Sequence, residues 1–364
     1  MNTDTPRVFI AATRQNDGKT TTSLGLLAEL QKRYSRIGYI KPVGQRFVEV
    51  DEAKIDEDTV LMDSVYNLDC PLIDMSPIAI EPDFTRRYLE HSNRDELVQK
   101  IRSAFDRVSW ERDFVLCEGS GHAGVGSVFD LSNAQIAKEL NSKVVLVTRG
   151  GIGKPIDEVT LNKALFDAHG VEVIGVIVNK VLPYRIDHIE QLARKGLERK
   201  GLDLLGVLPH MPVLTKPSLR SLQAELNADV INASDGLMNL VEDVVLGAMG
   251  ANNAVKYFKA GMLLITPGDR EDIIYATAAA QDNEESHLAG IVLTGNIKPS
   301  ATVRRVIDRL PFPVLLTERD SYHTASKVHD TIVKTQPDDL QKIELIRELI
   351  SRHVDVDRIL NSLN

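Results

Sequence analysis

The run A-T-R-Q-N-D-G-K-T-T-T at residues 12–22 carries the side chains of this sequence best suited to chemistry. Residues 13–20 fit the spacing G-x-x-x-x-G-K-[ST] except at the first position, which is Thr13. Each part of that spacing has a physical purpose. Glycine at position 18 lets the backbone approach an oxyanion closely, and successive N–H groups at a helix start form an anion cradle. Lys19 then reaches the β- and γ-phosphates of a nucleotide, and the Thr20 hydroxyl faces Mg²⁺. The alternative is a Gly-Lys-Thr helix start with no ligand. Context favours the phosphate site, because the apolar run Val8-Phe9-Ile10-Ala11 precedes it and Leu24, Leu26, Leu27 and Leu30 follow at helical spacing.

Other chemistry-bearing residues close apolar runs, where a parallel sheet gathers its ligands. Lys41, opening Lys41-Pro42-Val43-Gly44, reads equally as a cation for phosphate or carboxylate and as an exposed strand-end lysine. Glu118, heading Glu118-Gly119-Ser120-Gly121-His122, sits where P-loop proteins place the acid that holds Mg²⁺ through water. Its alternative is a surface acid. The glycines after it allow a loop near the γ-phosphate, and His122 reads as polar loop content. The Asn179 carboxamide could read a purine edge or serve a turn. Gly268-Asp269-Arg270 opens a later helix, as a second anion site or as a helix start that Asp269 caps. The nine histidines show no metal-site pairing, and Cys70 and Cys117 make no ligand pattern, so no zinc is expected.

The elements that must position these residues alternate between strand and helix. Strands are predicted at 8–12, 37–43, 114–118, 144–148, 173–179 and 204–208, as in a parallel sheet covered on both faces. Leu97, Ile101, Ala104, Phe105 and Val108 keep helical spacing, with Asn93 placed to cap. Residues 51–81 are less regular, with five acids between Asp51 and Asp58 and a short helical pattern around Val60, Leu61 and Val65. The run P-H-M-P-V-L-T-K-P at 209–217 interrupts all periodicity. Beyond it come strands at 262–266, 289–294 and 314–317 and helices at 272–281, 300–309 and 322–332. A charged helix at 338–352 aligns Leu340, Ile343, Ile346, Leu349 and Ile350 on one face. The expected domains are 1–215 and 216–335, both α/β, and a helical tail at 336–364. Net charge of −9 argues against nucleic acid as the main partner. No run approaches 18 apolar residues and the N-terminus lacks a leader pattern, so no membrane partner and a cytoplasmic location are expected.

Six pieces occur in the order of one known group: A-T-R-Q-N-D-G-K-T (12–20), K-P-V-G (41–44), D-E-D-T-V-L (56–61), C-E-G-S-G (117–121), V-I-V-N-K (176–180) and L-G-V-L-P (205–209). Through them residues 6–215 resemble the dethiobiotin synthetase (BioD-like) branch of P-loop proteins, which includes the cobyrinic acid diamide synthases. Ala12, rather than Thr13, then aligns with the family's first glycine. The resemblance implies that Lys19 and the amides of Asn16, Asp17, Gly18, Thr20 and Thr21 hold the triphosphate of ATP. It implies Mg²⁺ on Thr20, Asp58 and Glu118, with Lys41 steadying the transferring phosphate or an acidic substrate group. Asn179 would contact adenine and Pro209 line the base pocket. The loop R-G-G-I-G-K (149–154) and Ser120-Gly121-His122 depart from the synthetase's usual residues.

The C-terminal half resembles the DRTGG domain through T-P-G-D-R (266–270) and L-T-G-N (293–296), with Asn296 where glycine is usual. In this order the two halves look like the N-terminal regulatory region of long bacterial phosphotransacetylases. About a dozen residues follow Arg352, too few for an acetyl-CoA-binding domain, so acetyl transfer by this chain alone is not expected. Two functions are implied. One is an enzyme that uses Mg²⁺·ATP to hydrolyse ATP or to activate a small carboxylate or amine substrate for ligation, with Lys19 and Lys41 as its catalytic cations. The other is a nucleotide sensor without catalysis. A homodimer or higher assembly is expected from the resemblance.

Overall fold

The computed structural model describes residues 2–232, 235–281, 287–331 and 333–363, which fall into two compact units. The first comprises Met1–Met211 together with Thr335–Asn364, and the second Pro212–Lys334.

In the first unit β1 (Arg7–Ala12) leads through the glycine-lysine loop into α1 (Lys19–Gln31) and then β2 (Ile37–Ile40). Next come β3 (Val43–Gly44), β4 (Phe47–Val50), β5 (Ala53–Asp56), α2 (Glu57–Tyr66), α3 (Leu72–Met75), β6 (Ile78–Ala79), α4 (Phe84–Glu90) and α5 (Arg94–Ser109). The chain continues as β7 (Phe114–Glu118), α6 (Asn133–Glu139), β8 (Lys143–Arg149), α7 (Gly153–Ala168), β9 (Val173–Val181), α8 (Ile186–Glu198) and β10 (Leu204–Pro209). Six strands pair in parallel in the order β10-β9-β8-β1-β7-β2. β1 is therefore central, with β7 and β2 on one side and β8 to β10 on the other. Its C-terminal end is the point where strand order reverses, the place at which such sheets bind ligands. β1 and β7 are buried at every position, which requires their uninterrupted apolar sequences.

Three expectations change. The predicted strand at 37–43 stops at Ile40, because Pro42 has no donor and the Lys41 N–H turns aside to the Met75 carbonyl at 2.8 Å. The irregular acidic stretch contains an antiparallel hairpin, β4 with β5, closed by Asp51 and Glu52 at φ 48° and 64°. This is the left-handed two-residue turn that Asn-Gly usually signals, made here without glycine. Asn93 does precede α5 but makes no capping bond to its backbone; its amide donates to the Glu96 carboxylate at 3.2 Å.

The C-terminal residues are part of the first unit. After the second unit, α14 (Leu340–His353, numbered after the helices of the second unit given below) packs on α1, and α15 (Val356–Asn361) follows. Ile343, Ile346, Leu349 and Ile350 are buried, while Leu340, expected on that face, is 73% exposed. Covered by the sheet and by α14, α1 buries Leu24, Gly25, Leu26, Leu27 and Leu30, so it carries no polar face of ordinary width. A Cβ on Gly25 would lie 2.1 Å from Ile350 Cγ1, so the two helices meet at a glycine. Val354 then bridges Gly206 in antiparallel fashion, and Asp355 N–H donates to the Leu205 carbonyl at 2.8 Å.

The second unit contains α9 (Leu219–Leu226), β11 (Asp229–Val230), β12 (Asp243–Leu246), α10 (Ala251–Ala254), β13 (Met262–Pro267) and α11 (Glu271–Ala280). β14 (Gly290–Thr294), α12 (Ala301–Ile307), β15 (Val314–Leu316) and α13 (Ser321–Asp330) complete it. Its sheet runs β11-β15-β14-β13-β12, parallel except for β11. Apolar clusters cover both faces, one around Leu264, Ile291 and Phe312 and one around Leu222, Leu263 and Leu315. Ile332, the predicted end of the last helix, lies outside the described residues.

The α1–α14 contact gives a packing test. Gly25→Ala is expected to destabilise the protein by about 1–3 kcal/mol through overpacking, although alanine is the better helix former. Combining it with Ile350→Ala should cost less than the sum of the two single changes in denaturant unfolding. Strict additivity would contradict the contact.

Candidate functional site

The first-unit site begins with a glycine in the left-handed region. Gly18 has φ of 105°, and a Cβ there would lie 2.0 Å from Asn179 Nδ2. That approach has a purpose, because Asn179 Nδ2 donates to the Asp17 carbonyl at 2.9 Å while its Oδ1 accepts the Lys180 N–H at 2.7 Å. Lys180 Nζ donates to the Asn16 carbonyl at 2.7 Å. The end of β9 thus braces the loop from behind. Asn179, expected at adenine, is engaged at both ends of its carboxamide, with the loop through Nδ2 and with its own neighbour Lys180 through Oδ1. Thr13 Oγ1 donates to the Asp17 carboxylate at 2.9 Å, so the neighbouring Thr148 hydroxyl, also at 2.9 Å, must donate to Thr13. Burial raises the Asp17 carboxyl above its usual range, and the Thr13 bond partly offsets it.

The loop delivers the chain into α1 with no side-chain cap and no acid in the first turn. The amides of its first turn, including Thr20 and Thr21, therefore lack the side-chain acceptors that helix starts usually recruit. Lys19 is buried beside them. Burial lowers its pKa and Lys41 adds to that, while Glu118, Asp58 and Asp17 oppose it.

Facing α1, Glu118 is fully buried at the end of β7. Thr20 Oγ1 donates to its Oε1 at 3.0 Å and the Tyr39 hydroxyl to its Oε2 at 3.1 Å. Burial raises the Glu118 pKa, Asp58 adds to the rise, and Lys41 opposes it. Lys41 is buried rather than exposed. Its Nζ donates to Asp56 Oδ1 at 2.7 Å and to Asp58 Oδ2. Burial pulls the ammonium down, but Asp58 and Asp56, with Glu118 beyond them, outweigh it and hold the group charged above its ordinary range. Asp56 also caps α2 by accepting the Asp58 N–H at 2.9 Å. The structure thus brings Lys19, Thr20, Lys41, Asp58 and Glu118 to one place. Pro209 ends β10, the third strand from β1 on the β8 side of the sheet's centre.

Two buried asparagines that the sequence did not single out hold the loop after β7. Asn133 Oδ1 accepts the Ser120 N–H at 3.0 Å, and its Nδ2 donates to the Ser120 and His122 carbonyls at 2.6 Å each. Asn162, on α7, accepts the Ala123 N–H at 2.8 Å and donates to the Thr13 carbonyl at 3.3 Å. It ties the loop after β7 to the start of the phosphate loop. For Asn162 the one available signal was that mid-helix asparagine is a poor helix former; Asn133, at the first position of α6, gave none.

The residue set fits Mg²⁺·nucleotide. Among the described residues no three His, Cys, Asp or Glu groups are placed to hold a metal by themselves. A P-loop Mg²⁺ needs no such cage, since phosphate and water complete its shell. The uncapped helix start, the buried Lys19 and the Thr20 hydroxyl beside a buried carboxylate are the donors such a group uses.

The second candidate anion site has a different character. A Cβ on Gly268 would lie 1.8 Å from the Ile297 carbonyl oxygen, so this glycine permits loop packing. Arg270 is engaged throughout: Nη1 donates to the Gly247 carbonyl at 2.9 Å, Nη2 to the Met249 carbonyl at 2.8 Å, and Nε to Asp272 Oδ1 at 2.9 Å. Asp269 does not cap α11; Arg270 occupies that position and no side chain bonds there. Glu271 and Asp272 put negative charge in the first turn, which opposes an anion.

Fold and site together define a P-loop protein of the nucleoside-triphosphatase type. The chain belongs to the AAA domain family AAA_26, whose model matches residues 6–218, and a DRTGG domain matches residues 221–331. Phosphate acetyltransferase of Nitratidesulfovibrio vulgaris is 28% identical over 361 residues, 96% of this chain and 50% of the relative. The Synechocystis phosphate acetyltransferase is 29% identical over 99% of this chain and 52% of its own length. The chain therefore spans about half the length of the curated relatives it matches. Among solved structures, the CBS and DRTGG domains of Clostridium perfringens pyrophosphatase, complexed with diadenosine tetraphosphate, are 22% identical with a TM-score of 0.28, covering 37% of this chain and 59% of that one. MinD of Aquifex aeolicus is 14% identical with a TM-score of 0.36, covering 57% of this chain and 84% of that one. Likenesses of that size carry no functional argument. No helix among the described residues is long and apolar enough to cross a membrane.

The Asn162 tie is testable. Asn162→Ala removes the bridge between Thr13 and Ala123, and calorimetry should show Mg²⁺·ATP binding weakened about tenfold, the scale of one lost buried hydrogen bond. Unchanged affinity would mean that the two loops are set independently.

Proposed function

We propose that this chain is an Mg²⁺·ATP-binding regulatory module of the dethiobiotin synthetase-like branch, acting as a nucleotide sensor. The carrying observation is the uncapped start of α1 with Lys19 buried beside it and Thr20 bonded to Glu118. An anion there satisfies the first-turn amides, the helix dipole and the ammonium together. Lys19 with the amides of Asn16 to Thr21 would hold the triphosphate. Thr20, Asp58 and Glu118 would hold Mg²⁺, which supplies charge neutralisation across the β- and γ-phosphates. Asn179 acts on the nucleotide through the loop it braces, and Pro209 remains the proposed lining of the base pocket. The chain is proposed to work as a homodimer or higher assembly.

Sensing is favoured over catalysis by two observations. Lys41, the expected second catalytic cation, is committed to two carboxylates. The relatives that match nearly the whole chain are about twice as long, which suits a regulatory portion of a phosphate acetyltransferase-like protein. The second reading, phosphoryl transfer to a small carboxylate or amine, draws on the same two lysines once Lys41 is released.

Lys19→Ala is expected to abolish Mg²⁺·ATP binding in calorimetry while leaving the fold intact by circular dichroism. Retained affinity would sink the phosphate-site assignment. Incubation with Mg²⁺·ATP and a panel of carboxylates, amino acids and diamines should release ADP no faster than the Lys19→Ala control. Substrate-dependent ADP release above that control would establish the enzyme instead.

A further inference from the structure

The buried charges around Lys41 carry an inference about how the nucleotide site is gated, and it rests on the proposed Mg²⁺·nucleotide reading. Asp56 is 1% exposed, Asp58 5%, Glu118 0% and Lys41 6%, so the four groups share one water-poor space. The Lys41 ammonium lies between Asp56 and Asp58. Asp56 is held independently of Lys41 by capping α2 and by the Ser76 hydroxyl, which accepts its backbone N–H at 3.0 Å. Glu118 is held by Thr20 and Tyr39. Asp58 differs from both in two respects. It is a residue assigned to Mg²⁺, and it carries one of the two bonds that fix Lys41.

We propose that Lys41 is a built-in stand-in for the metal's charge. Without nucleotide its ammonium neutralises Asp58 and keeps the acidic pair stable. When Mg²⁺·nucleotide is bound, Lys41 gives up Asp58 and keeps Asp56 as its tether. Burial makes the exchange necessary: two carboxylates left without a cation in this space would be strongly destabilising, and an extra cation beside Asp58 would repel the ammonium. Lys41 thereby makes nucleotide binding conditional on the metal. Occupancy is reported as a change of partner at the start of α2. No covalent step is involved.

Two double variants test this. Lys41→Met with Asp56→Asn keeps Asp58 and removes one buried acid; Lys41→Met with Asp58→Asn removes the same charge and keeps Asp56, whose capping role asparagine also fills in the first variant. Each is melted with and without millimolar Mg²⁺ and no nucleotide. The first variant should gain about 5 °C or more in Tm from Mg²⁺, a gain of the size that relief of an unpaired buried charge produces. The second variant and the parent should move by about 1 °C or less. Equal responses from the two variants, or none from the first, overturn the proposal. In calorimetry the Mg²⁺ concentration needed for half-maximal nucleotide binding should be about tenfold lower in the first variant than in the parent, because no ammonium has to be displaced. An unchanged requirement also overturns it. If the parent binds no nucleotide, the site reading fails by itself, while the Mg²⁺ melts still decide the Lys41 exchange.

Discussion

A lysine buried at the start of a helix is opposed by two forces, and the first unit is built to sustain both. Removal from water disfavours the Lys19 ammonium, and the positive end of α1 disfavours any cation placed there. Glu118 across the gap is the principal compensation, yet it is fully buried and pushed toward protonation by the same low-dielectric surroundings. A multiply charged anion at the helix start relieves all of this at once. In the proposed reading it would pair with Lys19, accept from the open amides and bring a metal for the carboxylates. The charge imbalance at the start of α1 is thus the physical basis of the proposed phosphate site.

The surrounding fold keeps that arrangement from collapsing. Three carboxamides from three elements fix the loops: Asn179 under Asp17, Asn162 between Thr13 and Ala123, and Asn133 within the loop after β7. Being neutral, they position backbone without adding to a charge balance that is already crowded. On its far side α1 rests against α14 through the gap at Gly25, so the segment that follows the second unit in sequence is part of that helix's own support. Lys41 and its two carboxylates add a second buried charge cluster, the one on which the proposed coupling of metal and nucleotide rests.

Much of this was legible in the residues. The apolar runs of β1, β7, β8 and β9 announced a covered parallel sheet, and Gly18-Lys19-Thr20 announced the loop that leads into α1. What escaped was decided by partners distant in sequence. Asp51 and Glu52 adopt left-handed turn geometry that glycine would have signalled, and the strand pair they close looked like an acidic irregularity. Lys41 read equally as a phosphate or carboxylate cation and as an exposed lysine, because the acids that hold it lie across a hairpin. Arg270 stayed open as an anion ligand because the carbonyls of Gly247 and Met249, which it serves, leave no trace in side-chain type. Leu340 fitted the apolar stripe of its helix, yet α14 only reaches its packing partner one turn later. The tail at 336–364 was visible as a helix, but its place beside α1 depends on a glycine–isoleucine contact that no periodicity encodes.

The most direct test of the account is a crystal structure of the full chain with Mg²⁺ and a non-hydrolysable ATP analogue. The account predicts the β- and γ-phosphates against the amides of residues 18–21 and Lys19 Nζ, with the metal on the Thr20 hydroxyl and facing Glu118. Nucleotide bound in the second unit, with the start of α1 left open, would contradict it.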